Sequence, residues 1–238
     1  MGKKAVILHV GANKSPKYLG KLGPIFPDGT FRFIPIPETA GCGGPSYRNL
    51  GLADYVPAKK KDTRAHPDPE FQTFTYGDRP ESLAKMGLLL QLEPGDYLFF
   101  LSSLEFSDRI SNINPNWNYY LIGYFEIKQR IYVQRVTDEI RRKFGNNAHV
   151  KINDTGFWLF KGTKKSALLH KAVQFSKGQH PQHLSRGIFR NLKRNSVGRW
   201  WQGLIEDDAL GILWEGVDKI NSKQSVIAGF KSSRQTRP

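Results

Sequence analysis

Apolar residues in this chain fall mostly in short runs bounded by glycine, proline and asparagine, a pattern of strands and turns rather than of long helices. Ala5 to Val10 predicts a first strand that ends at the turn Gly11-Ala12-Asn13-Lys14-Ser15. Gly23-Pro24-Ile25-Phe26-Pro27-Asp28-Gly29 is a proline-framed turn with Asp-Gly at its tip. It leads into the alternating segment Thr30 to Pro37, expected at a sheet edge because Pro35 has no N–H to give a ladder. From Glu38 to Asp78 glycine, proline and polar residues dominate with little periodicity, as in a functional excursion. Pro80 to Gly87 predicts a short helix opened by proline.

The strongest β signal follows. Tyr97 to Ser102 is an apolar run of buried-strand type fed by the turn at Pro94-Gly95-Asp96. After a polar loop over 112–118, Tyr119 to Ile127 reads as a long strand that continues to Val133. Thr137 to Phe144 predicts a helix, with Thr137 as N-cap, Asp138 and Glu139 in the first turn and Gly145 just past the end. Gly156 to Gly162 predicts another strand. Thr163 to Phe175 is amphipathic, with Leu168, Leu169, Ala172 and Val173 assigned to one face, and short helices are expected beyond Ser185. The expected fold class is α+β: a curled, mostly antiparallel sheet with a helical, basic C-terminal portion. One compact domain is expected over 1–218, an internal division near 150 left open, with a basic tail over 219–238.

Composition narrows the class. Hydrophobic residues are 39% and aromatics 12%, too many for a disordered chain. The lone cysteine, Cys42, excludes an internal disulfide framework and fits a reducing compartment. No apolar run approaches the roughly 18 to 20 residues needed to span a bilayer, so a cytoplasmic protein without membrane contact is expected. The net charge is +15, and its distribution says more than its sum. The 51 residues from Thr155 to Ile205 hold ten Lys and Arg and no acid, and 219–238 adds five more basic residues, again with no acid. What remains of the chain is balanced in sum, so the net excess equals the charge of these two stretches. Such a distribution fits a polyanion, because neutralised phosphates release condensed counterions. Lys164, Lys165, Arg186, Arg190, Lys193, Arg194 and Arg199 are the expected phosphate contacts. Trp117 and Tyr119 are expected to approach a base, since aromatic faces stack unpaired bases. A solvated basic face is the competing reading.

Phosphate-loop, dinucleotide and zinc-protease motifs are absent, as are paired cysteines. Two polar groups stand out. The first gathers His9, Asn13, Lys14, Ser15, Lys17 and Tyr18 where the first strand gives way to its loop, a place where a rigid element positions an adaptable one. The second is His66-Pro67-Asp68-Pro69-Glu70, in which prolines are expected to hold the segment extended with the three polar side chains on one side. Such a set serves acid–base work or contributes to a divalent metal site. His9, His66 and Asp68 are the candidates for chemistry. No metal ligand is assigned and the cofactor is unknown.

Pro94-Gly95-Asp96 before Tyr97 to Phe100, with Tyr120 to Ile127 returning, resembles the paired strands of PUA-like (PUA, ASCH, EVE) domains. More specifically, the order of Gly23 to Gly29, Ile34-Pro35-Ile36-Pro37, His66-Pro67-Asp68-Pro69 and Gly95-Asp96 before Phe99-Phe100 resembles the third nucleotide-modification-associated domain family. These are prokaryotic and phage proteins linked to systems that modify DNA bases. The resemblance implies an association with nucleotide modification, and it selects Asn13, Ser15, Asp28, His66 and Asp68 as site positions. The expected function is therefore binding of DNA or RNA with recognition of, or action on, a modified or flipped-out base. A non-catalytic reader and an enzyme of free nucleotides or phosphorylated metabolites, using the Asn13-Lys14-Ser15 loop, remain alternatives.

Overall fold

The computed structural model describes residues 3–15, 19–39, 43–80, 83–107, 117–175, 202–206, 214, 217 and 218. Its organising strand is β1 (Lys4–His9), whose four central residues are buried. It lies between β10 (Gln202–Glu206), antiparallel, and β6 (Tyr97–Phe106), parallel. A strand covered on both faces needs an unbroken apolar run, which explains why Ala5 to Val10 shows no polar alternation. The two-residue period sorts these side chains between two cores. Val6 and Leu8 join Leu98 and Phe100 on one face, while Ala5 and Ile7 join Phe99 and Leu101 on the other.

Beyond β6 lies β7 (Trp117–Arg135), antiparallel and 19 residues long. Its first half also pairs with β9 (Ala167–Gln174), and its second half with β8 (Thr155–Gly162). β8 pairs in turn with β5 (Thr75–Asp78), so the main path runs β10-β1-β6-β7-β8-β5, with β2 (Gly23–Ile25) added to β6 in parallel. Register shifts at Phe100/Leu101, Leu121/Gly123 and Ile127/Gln129 bend this sheet. Gly123 at one of them lets Phe71 approach, because a Cβ there would lie 2.6 Å from the Phe71 ring. Among the described residues the path stays open and no barrel closes, unlike the barrel-type sheet anticipated from the sequence. A separate ribbon pairs β3 (Ile36–Pro37) with β4 (Ala65–His66). The helices are short: α1 (Leu83–Leu89), α2 (Asp138–Phe144) and α3 (Ala148–Lys151).

The α+β class and the mostly antiparallel sheet agree with the sequence pattern. The hydroxyl of Thr137 accepts the Ile140 N–H at 3.3 Å, capping α2 as anticipated. Three local expectations change. The amphipathic segment Thr163 to Phe175 is the strand β9: Leu169 and Val173 enter one core and Ala172 the other, while Leu168 is 45% exposed. Thr30 to Pro37 is not a continuous edge strand; only a bridge at Phe31 and the two residues of β3 pair. Finally, the stretch 38–78 folds around a small core of its own, with Tyr47, Leu52, Val56 and Ala65 packed against Ala12, Leu19 and Ile34. Tyr47 ties it down by donating its hydroxyl to the Pro35 carbonyl at 2.9 Å. The short helices expected beyond Ser185 and the tail 219–238 lie outside the described residues. No helix among the described residues is long and apolar enough to cross a membrane.

Candidate active site

The polar groups converge where β4, β5 and α3 meet. His66 is the last residue of β4, held opposite Ile36 of β3. Two residues on, Asp68 donates its N–H to the His66 carbonyl at 2.9 Å. The Asp68 carboxylate accepts the Gly77 N–H of β5 at 3.0 and 3.1 Å, so backbone fixes its direction. His149 comes from α3, a single turn that Asn147 caps by accepting the His149 N–H at 3.0 Å. The His149 imidazole stacks on buried Phe157, with centroids 5.1 Å apart and planes 22° apart, and meets the His66 ring edge-on at 4.8 Å. Position 77 is glycine for space: a Cβ there would stand 2.3 Å from His149 Cδ2.

Both imidazoles are oriented by carboxylates. Glu38 receives His66 Nδ1 at 2.6 Å, and Asp154 receives His149 Nδ1 at 2.8 Å. On the far side of its ring, His149 Nε2 is 3.4 Å from Asp68. Asp154 is itself gripped by the Arg79 guanidinium through two nitrogens, Nε at 2.8 Å, and by the Thr155 N–H at 2.8 Å. One donor atom each of His66, Asp68 and His149 lies within 4.8 Å of the other two.

The electrostatics follow from burial and these partners. Burial opposes charge on His149, but the Asp68 and Asp154 carboxylates outweigh it and raise its pKa to about 9. Burial also opposes charge on Asp154, yet Arg79 and His149 hold it down to about 2. Asp68 shifts the other way: its burial raises the pKa, against the pull of His149 and His66. Separated shifts of this kind, in neighbouring groups, are what acid–base sites are built from.

The cluster opens on a cavity of about 440 Å³, to whose walls His9, Asn13, Tyr76, Asp78, Arg79 and Lys85 contribute. Tyr76 donates its hydroxyl to Asp78 at 2.8 Å, and Lys85 pairs with the same carboxylate. His9 bonds Ser103 Oγ at 2.8 Å, and burial pushes its pKa down to about 4, so this ring is neutral at physiological pH. Pro67 and Pro69, alternating with His66 and Asp68, line instead a groove of about 840 Å³, which Phe31, Phe71 and His170 also border.

Of the residues singled out in the sequence, His9, Asn13, His66 and Asp68 share this cavity. Ser15 is exposed, its N–H donating to Asn13 Oδ1 at 2.9 Å. Asp28 is exposed at the tip of the hairpin after β2, where it accepts the Thr30 N–H and hydroxyl, and this tip docks on β9 through Gly29. Glu70 does not face the way of His66 and Asp68, as an extended segment requires: it bonds Thr75 through backbone and turns its carboxylate onto the Thr73 N–H and hydroxyl. Trp117 is not in a loop but begins β7, packed edge-on against Tyr119, with Lys14 6.0 Å above its ring. Tyr119 is only 6% exposed and meets His9 edge-on. It therefore belongs to the core and offers no open face for a base to stack on.

Lys164 and Lys165 are exposed in the turn after β8. Asp78 in the cavity wall pairs with Trp158, whereas those lysines lie past the end of β8 at Gly162, about 13 Å further along the strand. Arg186, Arg190, Lys193, Arg194 and Arg199 lie outside the described residues. The residues that sequence reasoning missed are His149, Asp154, Arg79, Glu38, Asp78 and Lys85.

An α+β scaffold with a buried histidine–carboxylate cluster at the mouth of a cavity is thus the class of molecule present. The chain belongs to the family of nucleotide modification associated domain 3, whose sequence model matches residues 4–212. No curated protein matches the chain. No solved structure matches it either.

Proposed function

We propose that this protein acts within a nucleotide-modification system by taking a base, presented by DNA or RNA, into the cavity beside His66, Asp68 and His149 and acting on it there. The observation that carries the reading is the buried pair of imidazoles, each oriented by its own carboxylate, clustered with Asp68 in the cavity wall. That arrangement suits proton transfer at a bound base: one group is held to its proton while a neighbour's charge is disfavoured. The volume is within the range of small-ligand sites. Extruding a base from a stack costs a few kcal/mol, which the acid-free basic segment repays by holding the backbone.

Mass spectrometry of material co-purifying with the protein tests this directly: a nucleotide or short oligonucleotide is expected, and a non-nucleotide metabolite as the sole occupant refutes it. A charge reversal, Arg190→Glu with Arg194→Glu, is expected to weaken nucleic-acid binding and to lower the slope of log affinity against log salt by about one per lost phosphate contact. Affinity indifferent to salt between roughly 50 and 200 mM removes the polyanion from the reading. His66→Ala separates an enzyme from a reader, since lost turnover with retained binding is the outcome expected of an enzyme.

A further inference from the structure

The geometry points to a divalent transition-metal site made by His66, Asp68 and His149, with open positions facing the cavity. Four observations lead there. First, the donor atoms already cluster within 4.8 Å, and His149 Nε2 stands 3.4 Å from Asp68 Oδ2. That is the edge length of a tetrahedral site whose bonds are about 2.1 Å. Second, each imidazole gives Nδ1 to a buried carboxylate, Glu38 or Asp154, which leaves Nε2 as the nitrogen that each ring can offer a ligand. Carboxylates behind metal-bound histidines fix the tautomer and the ring direction in this way. Third, four carboxylates of the cavity and its cluster, Glu38, Asp68, Asp78 and Asp154, face two cations, Arg79 and Lys85. A divalent cation complements such a carboxylate-rich surround and takes the place of the proton on His149 Nε2. Fourth, the Gly77 N–H and the Phe157 ring hold Asp68 and His149 from behind, so two of the three ligands come from rigid supports.

The donor set selects the metal class. Two imidazoles and one carboxylate favour zinc, iron(II) or manganese(II) over magnesium or calcium, which prefer oxygen alone. Three protein ligands leave at least one coordination position for water or substrate, as reactive rather than structural sites do. The inference rests on reading this cavity as the reactive site, but metal binding can be measured without any turnover.

The experiment is a titration of tag-free, chelator-treated protein with cobalt(II), read by the visible absorption that low-coordinate cobalt acquires. One equivalent is expected to bind the wild type. The double variant His66→Ala with His149→Ala is expected to lose the spectrum. Glu38→Gln and Asp154→Asn are expected to bind about 10- to 100-fold more weakly, because the rings lose their orienting partners. Asp68→Asn keeps the side chain's size and guards against variants that fail to fold: zinc(II) is expected to raise the Tm of wild type and not that of Asp68→Asn. A wild type that takes up no cobalt overturns the proposal, and so does a spectrum that survives in the double variant. Cobalt bound through these residues in a protein that carries no nucleotide keeps the metal site and sinks the functional reading. Nucleotide bound without metal does the reverse.

Discussion

Asp154→Ala is expected to lower the free energy of unfolding by about 3–5 kcal/mol, as when one member of a buried ion pair is removed. Asp154 is 6% exposed and serves four donors at once: His149 Nδ1, two nitrogens of Arg79 and the Thr155 N–H. Alanine leaves a covered imidazole without its acceptor and opens the first residue of β8. Its backbone role is untouched, since the Asp154 N–H still closes the turn on the His149 carbonyl at 2.9 Å. The loss is therefore charge and hydrogen bonding rather than chain direction. Asp154→Asn keeps one acceptor oxygen and the volume, and should cost clearly less than alanine. Denaturant unfolding of the three proteins measures this. Equal stability of wild type and Asp154→Ala is incompatible with the arrangement described.

On the proposed reading the chemistry is assigned to this cavity and not to the larger groove. Both border the segment 66–70, one on the side of His66 and Asp68, the other on that of Pro67 and Pro69. The groove has the greater volume and the more apolar surroundings. The smaller cavity holds the groups whose protonation is pulled apart by their neighbours, and chemistry follows those groups rather than volume.

Much of the sheet was legible in the sequence because its signals are local. The apolar run of β1, the Gly95-Asp96 entry to β6 and the capped helix α2 each declare themselves within about ten residues. The segment of β9 misled because Leu168, Leu169, Ala172 and Val173 suit helical spacing as well as a strand lying between two cores. Half of the site was legible too: His66 and Asp68 stand in a proline-framed run of unusual composition. The other half was not, since His149 and Asp154 join it from 81 and 86 residues further on. Nothing around Asn147-Ala148-His149 marks it as more than a short capped turn, and only the β5–β8 pairing brings it to Gly77. Glu70 was grouped with the site for its spacing, but its own turn offered nearer donors, and local hydrogen bonds won. Trp117 and Tyr119 were expected to approach a base because aromatic faces stack bases and Trp117 fell in a polar loop, whereas the packing of β7 half covers the first and buries the second.

Phe157→Ala joins the core to the site and is expected to change both. The side chain is fully buried, packed with Val133, Phe144, Val150 and Leu159, and carries the His149 ring on its face. Truncating a buried phenylalanine costs about 3–5 kcal/mol through lost burial and the cavity left behind. Phe157→Leu, closer in volume, restores most of that and is expected to stay within about 1.5 kcal/mol of wild type. The two substitutions then part company at the site. Leucine fills the space but gives His149 no flat surface parallel to its ring, so cobalt affinity should fall below that of wild type even where stability is nearly recovered. Phe100→Ala supplies the comparison. Phe100 packs on Phe125 at 4.7 Å between centroids and on Tyr76 at 5.7 Å, in the core of the other cluster. It should cost as much stability as Phe157→Ala and leave His149 on its support. Equal losses of metal affinity in Phe157→Ala and Phe100→Ala, with none in Phe157→Leu, would mean that overall stability, not the stacked phenylalanine, places the imidazole.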